Sequence, residues 1–171
     1  MYRSDNASYA FNLIVRKYQQ RLYHHIRRMV KDHDDTHDIM QNTFIKAWNA
    51  LGDFREEANL FTWLYRIATN ESITFLNKQK RTQGKSIDTV KINAATHKEG
   101  DASTVTSEEI REKLQKAINL LPEKQRIVFN MKYYEEMKYE EMSEILDTSV
   151  GALKASYHHA IKKIEEYLTG N

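Results

Sequence analysis

Two clusters of side chains in this 171-residue chain have types and spacings that could do chemistry. The first is Asp34-Asp35-Thr36-His37-Asp38, in which carboxylates about one helical turn apart could share a hard divalent cation and, through it, a diphosphate. No second acidic motif accompanies it, and the chain is short for an enclosed apolar chamber, so helix capping is the better reading. His33 and His37 have the i, i+4 spacing of a metal pair, but no third ligand is evident and two exposed polar residues explain them as well. There is no glycine-rich phosphate loop, no Gly-x-Ser-x-Gly elbow and no cysteine. The sequence therefore predicts no catalytic residue, no metal site and no cofactor. The second cluster is near the C-terminus, where Lys154, Ala155, His158, His159 and Lys162 fall at i, i+1, i+4, i+5 and i+8. On a helix they share one face. Lysine contacts phosphate or guanine, imidazole hydrogen-bonds base edges, and a bare alanine meets a thymine methyl.

The element that must present this face reads as a helix-turn-helix. Met142, Ile145 and Leu146 form the inner stripe of a first helix from Tyr139. Asp147 takes the turn, where Asp tolerates left-handed geometry better than most residues, and Thr148 or Ser149 can cap the second helix. Leu153, Tyr157, Ala160, Ile164 and Leu168 are expected to face the core. An ordinary helical hairpin with a polar outside has the same spacing, so this pattern alone does not prove DNA reading.

The rest of the chain is helical by composition and period. Five glycines and one proline leave few breaks. Apolar residues repeat at three- and four-residue steps from about Ser8 to Lys31, after a break from Ile39 to Leu51, and again from Phe61 to Arg81. Asp34 or Asp35 is the expected cap of the second of these helices. Residues 82–106 contain no aromatic residue, five threonines and two glycines, and read as a flexible linker. A helix then runs from Glu108 to Leu121, and Pro122 suits the first turn of the next. The predicted fold is all-α: two helical domains, 1–81 and 108–171, joined by a linker over 82–107.

Charge follows this division. Residues 1–85 carry 14 Lys and Arg against 9 Asp and Glu, whereas residues 108–171 carry 10 against 12. Within the second part, residues 135–147 hold six acids and one lysine, and residues 148–163 hold three lysines, two histidines and no acid. A basic helix beside an acidic one suits a face meant for a polyanion. No apolar run approaches the roughly 20 residues of a membrane span, the first residues lack a signal-peptide pattern, and the lack of cysteine fits a reducing compartment. A cytoplasmic protein without membrane insertion is expected.

The run Asp38-Ile-Met-Gln-Asn-Thr-Phe-Ile-Lys-Ala-Trp, with Phe61-Thr-Trp-Leu-Tyr-Arg-Ile-Ala-Thr-Asn70, resembles region 2 of the extracytoplasmic-function (ECF) sigma factors. Leu121-Pro-Glu-Lys-Gln-Arg, Tyr139-Glu-Glu-Met and Val150-Gly-Ala-Leu-Lys resemble their region 4. The blocks occur in the family's order and cover most of the chain outside the linker. The resemblance implies a non-enzymatic subunit that directs RNA polymerase to promoter DNA. It implies that Asp38, Gln41 and Asn42 dock on core polymerase. It places capture of an unpaired minus-ten base at Phe54, Arg55 and Asn70, with Lys78, Lys80 and Arg81 on nearby phosphates. It assigns the minus-thirty-five element to Tyr139, Lys154, Ala155, His158, His159 and Lys162. An anti-sigma factor is a further implied partner. Trp48 and Trp63 are expected in the core rather than as wedges. The departure lies in the recognition helix: where many members read Gly-Thr-Val-Arg/Lys-Ser-Arg, this chain has Gly151-Ala-Leu-Lys-Ala-Ser156. Fewer cations there imply a shallower salt dependence for that contact.

Overall fold

The structure, a computed structural model, describes residues 5–54, 59–84 and 106–170. It is all-α, with helices α1 (Asp5–Val30), α2 (His33–Ala50), α3 (Leu60–Gln83), α4 (Ser107–Leu120), α5 (Glu123–Tyr133), α6 (Tyr139–Leu146) and α7 (Val150–Thr169). Residues 85–105, most of the expected linker, lie outside the described residues.

Local chemistry sets the ends of these helices. α1 stops where Lys31 turns left-handed, at φ 65°, and the Lys31 N–H closes the last turn on the Arg27 carbonyl at 3.0 Å. The cap of α2 is Asp32 and not Asp34 or Asp35. Its carboxylate accepts from both of their backbone N–H groups, at 2.9 and 3.0 Å, so the acidic run supplies the first turn and the residue before it supplies the cap. Asn59 caps α3 through the Phe61 N–H at 2.9 Å. Thr106 and Glu109 form a reciprocal capping box on α4. Pro122 occupies the cap of α5 rather than its first turn.

α1, α2 and α3 pack on one another, and α7 is packed by α4, α5 and α6. The two groups also meet, with α6 along α3 and α5 against α1. One apolar cluster runs through this junction. Leu22, Ile26, Leu64, Tyr65 and Ala68 from the first group are buried in the same body as Met137, Met142, Ile145 and Leu153 from the second. A smaller cluster built on Ile118, Phe129, Ala160 and Ile164 joins α4, α5 and α7. Leu168, expected in the core, is 42% exposed, because it lies in the last turn of α7, beyond Ile164, where the buried stripe ends.

Candidate nucleic-acid interface

The turn between α6 and α7 fixes the face that α7 presents. Asp147 is left-handed at φ 50° and ψ 48°, the conformation expected of it, and the Thr148 N–H returns to the Ser143 carbonyl at 3.3 Å. Of the two candidate caps, Ser149 serves: its hydroxyl accepts from the Ala152 N–H at 3.2 Å. Buried Leu153, Ala160 and Ile164 then pin one side of α7. Lys154, Ala155, His158, His159 and Lys162 are all left exposed on the other. Tyr139, at the start of α6, is half-buried. Lys154 and Lys132 approach its ring at 5.7 and 4.8 Å, and burial, then Tyr157, pushes its hydroxyl above the usual tyrosine range. The Lys162 ammonium is 4.0 Å from Glu166 one turn on, an exposed pair that phosphate could outcompete.

The candidates on the first group lie on two surfaces. On α3, Trp63, Arg66 and Asn70 follow at i, i+3 and i+7, so they share a face, with Arg66 and Asn70 exposed. Phe54 leans on Trp63 with ring centroids 4.9 Å apart. Arg55 lies outside the described residues. Lys78, Lys80 and Arg81 are exposed toward the end of α3, but Lys80 is ion-paired with Glu123 of α5 across the junction. On α2, Asp38, Gln41 and Asn42 are exposed together. Beside Gln41 runs an apolar groove lined by Phe11, Phe44, Ile45 and Trp48. Trp48 and Trp63 are both partly rather than wholly buried.

Sequence reasoning did not find the polar contact inside the junction. His25, 1% exposed, donates from Nδ1 to Glu135 Oε1 at 2.7 Å, and its Nε2 meets the Thr69 hydroxyl at 2.8 Å. These three residues come from α1, α3 and the turn after α5. The signal was a histidine on the stripe of Leu22, Ile26 and Met29, a position where an imidazole needs partners. Arg66 was also missed; it sits with Trp63 beside Glu144 and Asp147 of the helix-turn-helix. Among the described residues no group of three His, Asp or Glu side chains is placed to hold a metal ion, and no helix is long and apolar enough to cross a membrane.

Two family models match the chain, sigma-70 region 2 over residues 14–82 and sigma-70 region 4 over residues 111–164. The ECF RNA polymerase sigma-E factors of Salmonella typhimurium and Escherichia coli are each 34% identical over 164 residues, covering 91% of this chain and 85% of theirs. The RNA polymerase sigma-H factor of Pseudomonas aeruginosa is 32% identical over 168 residues, covering 93% and 86%. Among solved structures, the fold resembles the sigma factor RpoE in complex with the anti-sigma factor NepR from Bartonella quintana, with a TM-score of 0.72, 23% identity and coverage of 94% and 97%. It also resembles CnrH in complex with the cytosolic domain of CnrY, with a TM-score of 0.70, 21% identity and coverage of 96% and 90%. Over its described residues the protein is helical throughout and carries a helix-turn-helix whose second helix leaves a partly basic face exposed, the pattern of one class of DNA-binding proteins. This one belongs to the ECF sigma factors, which direct RNA polymerase to promoters to begin transcription.

Proposed function

We propose that the two helical groups divide promoter recognition between them, one on opened DNA and one on duplex. The observation that carries this is the face of α7, where Lys154, Ala155, His158, His159 and Lys162 stay exposed while Leu153, Ala160 and Ile164 are buried. That face enters the major groove of the minus-thirty-five element, with Tyr139 beside it. The α3 face receives an unpaired minus-ten base. Extrusion costs a few kcal/mol of stacking, which aromatic contact and the donor and acceptor of Asn70 return. Phe54, Arg55 and Asn70 form that pocket, and Lys78, Lys80 and Arg81 hold adjacent phosphates. Asp38, Gln41 and Asn42 dock on core polymerase, with the Phe11–Trp48 groove supplying apolar contact beside them. The protein works in the cytoplasm, catalyses nothing itself, and is held in check by an anti-sigma factor of the kind found with its structural neighbours.

Geometry adds one requirement. Elements about 25 base pairs apart are separated by roughly 85 Å along B-form DNA, whereas a packed chain of this length is about 40 Å across. The two groups must therefore part. The stretch between Gly84 and Thr106 reaches at most about 75 Å when extended, which, with the width of the groups themselves, covers the span. Parting also releases Lys80 from Glu123 and uncovers the α3 face near Arg66 and Trp63.

The decisive experiment is transcription from a randomised promoter library with core polymerase plus the purified protein. Start sites should share two sequence blocks at fixed spacing. Transcripts unchanged by adding the protein, or its failure to associate with core polymerase, would overturn the proposal.

A further inference from the structure

The junction between the two helical groups holds a cavity of about 380 Å³ whose charge is unusual. Arg27, Arg28 and Lys31, from the end of α1 and the turn beyond it, face Arg126 of α5 across it, and no carboxylate lines it. Three of the four cations lie at the end of α1 and have ordinary explanations. Arg27 and Arg28 sit in the last turn of α1, where the helix dipole favours positive charge. Arg27 also acts on the Asp32 carboxylate, and Arg28 is 3.9 Å from Glu135 and lies over the Tyr134 ring.

Lys31, exposed just past the same helix end, shares that favourable dipole, but Arg126 has no such account. Arg126 lies in the first turns of α5, the end of a helix at which a cation is disfavoured, and its Nε is buried without a hydrogen-bond partner. Lys31 takes a left-handed backbone conformation that a lysine rarely adopts. Its ammonium is held below the usual lysine range, first by desolvation and then by the Arg126 guanidinium. Two like charges are thus brought together from separate helical groups, with a buried donor left unused. Neutral donors from Gln115 and Asn119 of α4 line the same cavity.

From this geometry we infer that the junction cavity is a binding site for a multiply phosphorylated small molecule, held by Lys31, Arg126, Arg27 and Arg28. Guanidinium groups suit phosphate because their forks match its oxygens with charge-assisted hydrogen bonds. Four cations call for an anion of several charges rather than a single carboxylate. The volume is at the small end of ligand sites, enough for a chain of two or three phosphates, and too confined for a nucleic-acid duplex. Both helical groups supply walls, so an occupied cavity stabilises their packed arrangement. Under the reading that promoter engagement needs them apart, such a ligand restrains the protein in the absence of any protein inhibitor. The binding step itself does not depend on that reading.

The test is calorimetric titration of the full chain, without polymerase or DNA, using inorganic tripolyphosphate as probe and sodium chloride at matched ionic strength as control. Saturable one-to-one binding is expected, and a rise in melting temperature that sodium chloride does not reproduce. Arg126→Gln should weaken binding by about ten- to a hundredfold. Lys113→Gln, an exposed α4 cation away from the cavity, should not change it. Lys31→Gly separates binding from folding: glycine suits the left-handed backbone and removes the repulsion, so the free protein should be at least as stable while tripolyphosphate binds more weakly. Full binding retained in Arg126→Gln and Lys31→Gly, equal loss in Lys113→Gln, or an effect matched by sodium chloride would each overturn the site.

Discussion

Asp32 shows how one side chain can set both an element boundary and a pH response. Two backbone N–H groups donate to its carboxylate, the Asp35 amide foremost, and hold it below the usual aspartate value of 3.8. A carboxyl depressed in the folded state contributes stability above its unfolded value and loses that contribution as pH falls through the folded one. Asp35 is pushed the other way, first by desolvation and then by Asp32, Asp38 and Asp34, so its repulsion is relieved at higher pH, before the Asp32 contribution is lost. Asp32→Asn keeps a capping oxygen and removes the titration. Urea midpoints measured from neutral to acid pH should therefore fall less steeply for the variant than for the wild type, and parallel curves would show that the cap carries no such linkage. Asn70 offers a cleaner separation of roles, because it is exposed on α3 and far in sequence from the proposed docking residues on α2. Asn70→Ala should slow promoter opening, read by permanganate reactivity of unpaired thymines, with core polymerase affinity unchanged. Equal loss of both would remove Asn70 from base capture.

The helix-turn-helix depends on a backbone conformation that its own residue only tolerates. Asp147 is left-handed at φ 50°, which for a residue with a Cβ costs more than for glycine. Asp147→Gly should thus leave the turn in place and stabilise the protein by about 0.5 kcal/mol, the relief of strain being partly offset by a freer unfolded chain. Chemical denaturation checks this, and a clear loss of stability would mean that the Asp147 side chain supports the turn. Such features show what was legible in the chain. Helix periods, the turn at Asp147 and the exposed face of α7 follow from local spacing, which depends on neighbours within a few residues. The cap of α7 was among the two expected, but that of α2 was off by two or three positions, Asp32 for Asp34 or Asp35, because several oxygens competed within one turn. The burial assigned to Leu168 failed because a stripe does not say where its partner helix ends. His25, Thr69 and Glu135 could not be matched at all: their meeting is set by how α1, α3 and α5 dock, and no local pattern encodes that.

The molecule as a whole is held by contacts that cross between its two helical groups. Glu135, with its side chain 6% exposed, serves His25 directly and lies near Arg28. Removing it leaves a buried imidazole N–H without an acceptor, at a cost of about 1–3 kcal/mol. Glu135→Ala should lower the unfolding midpoint and, in solution scattering, enlarge the average radius as the groups part more often. A radius identical to wild type would show that the apolar contacts alone hold the packing. Those contacts carry a thermodynamic signature of their own. When α6 leaves α3, Met137, Met142, Ile145 and Tyr65 pass from a shared interior into water, and hydration of apolar surface raises heat capacity. Polymerase docking that forces this opening would then show a less negative heat-capacity change than its own buried area implies, a discrepancy that titrations at several temperatures would measure as the amount of interior the protein gives up to work.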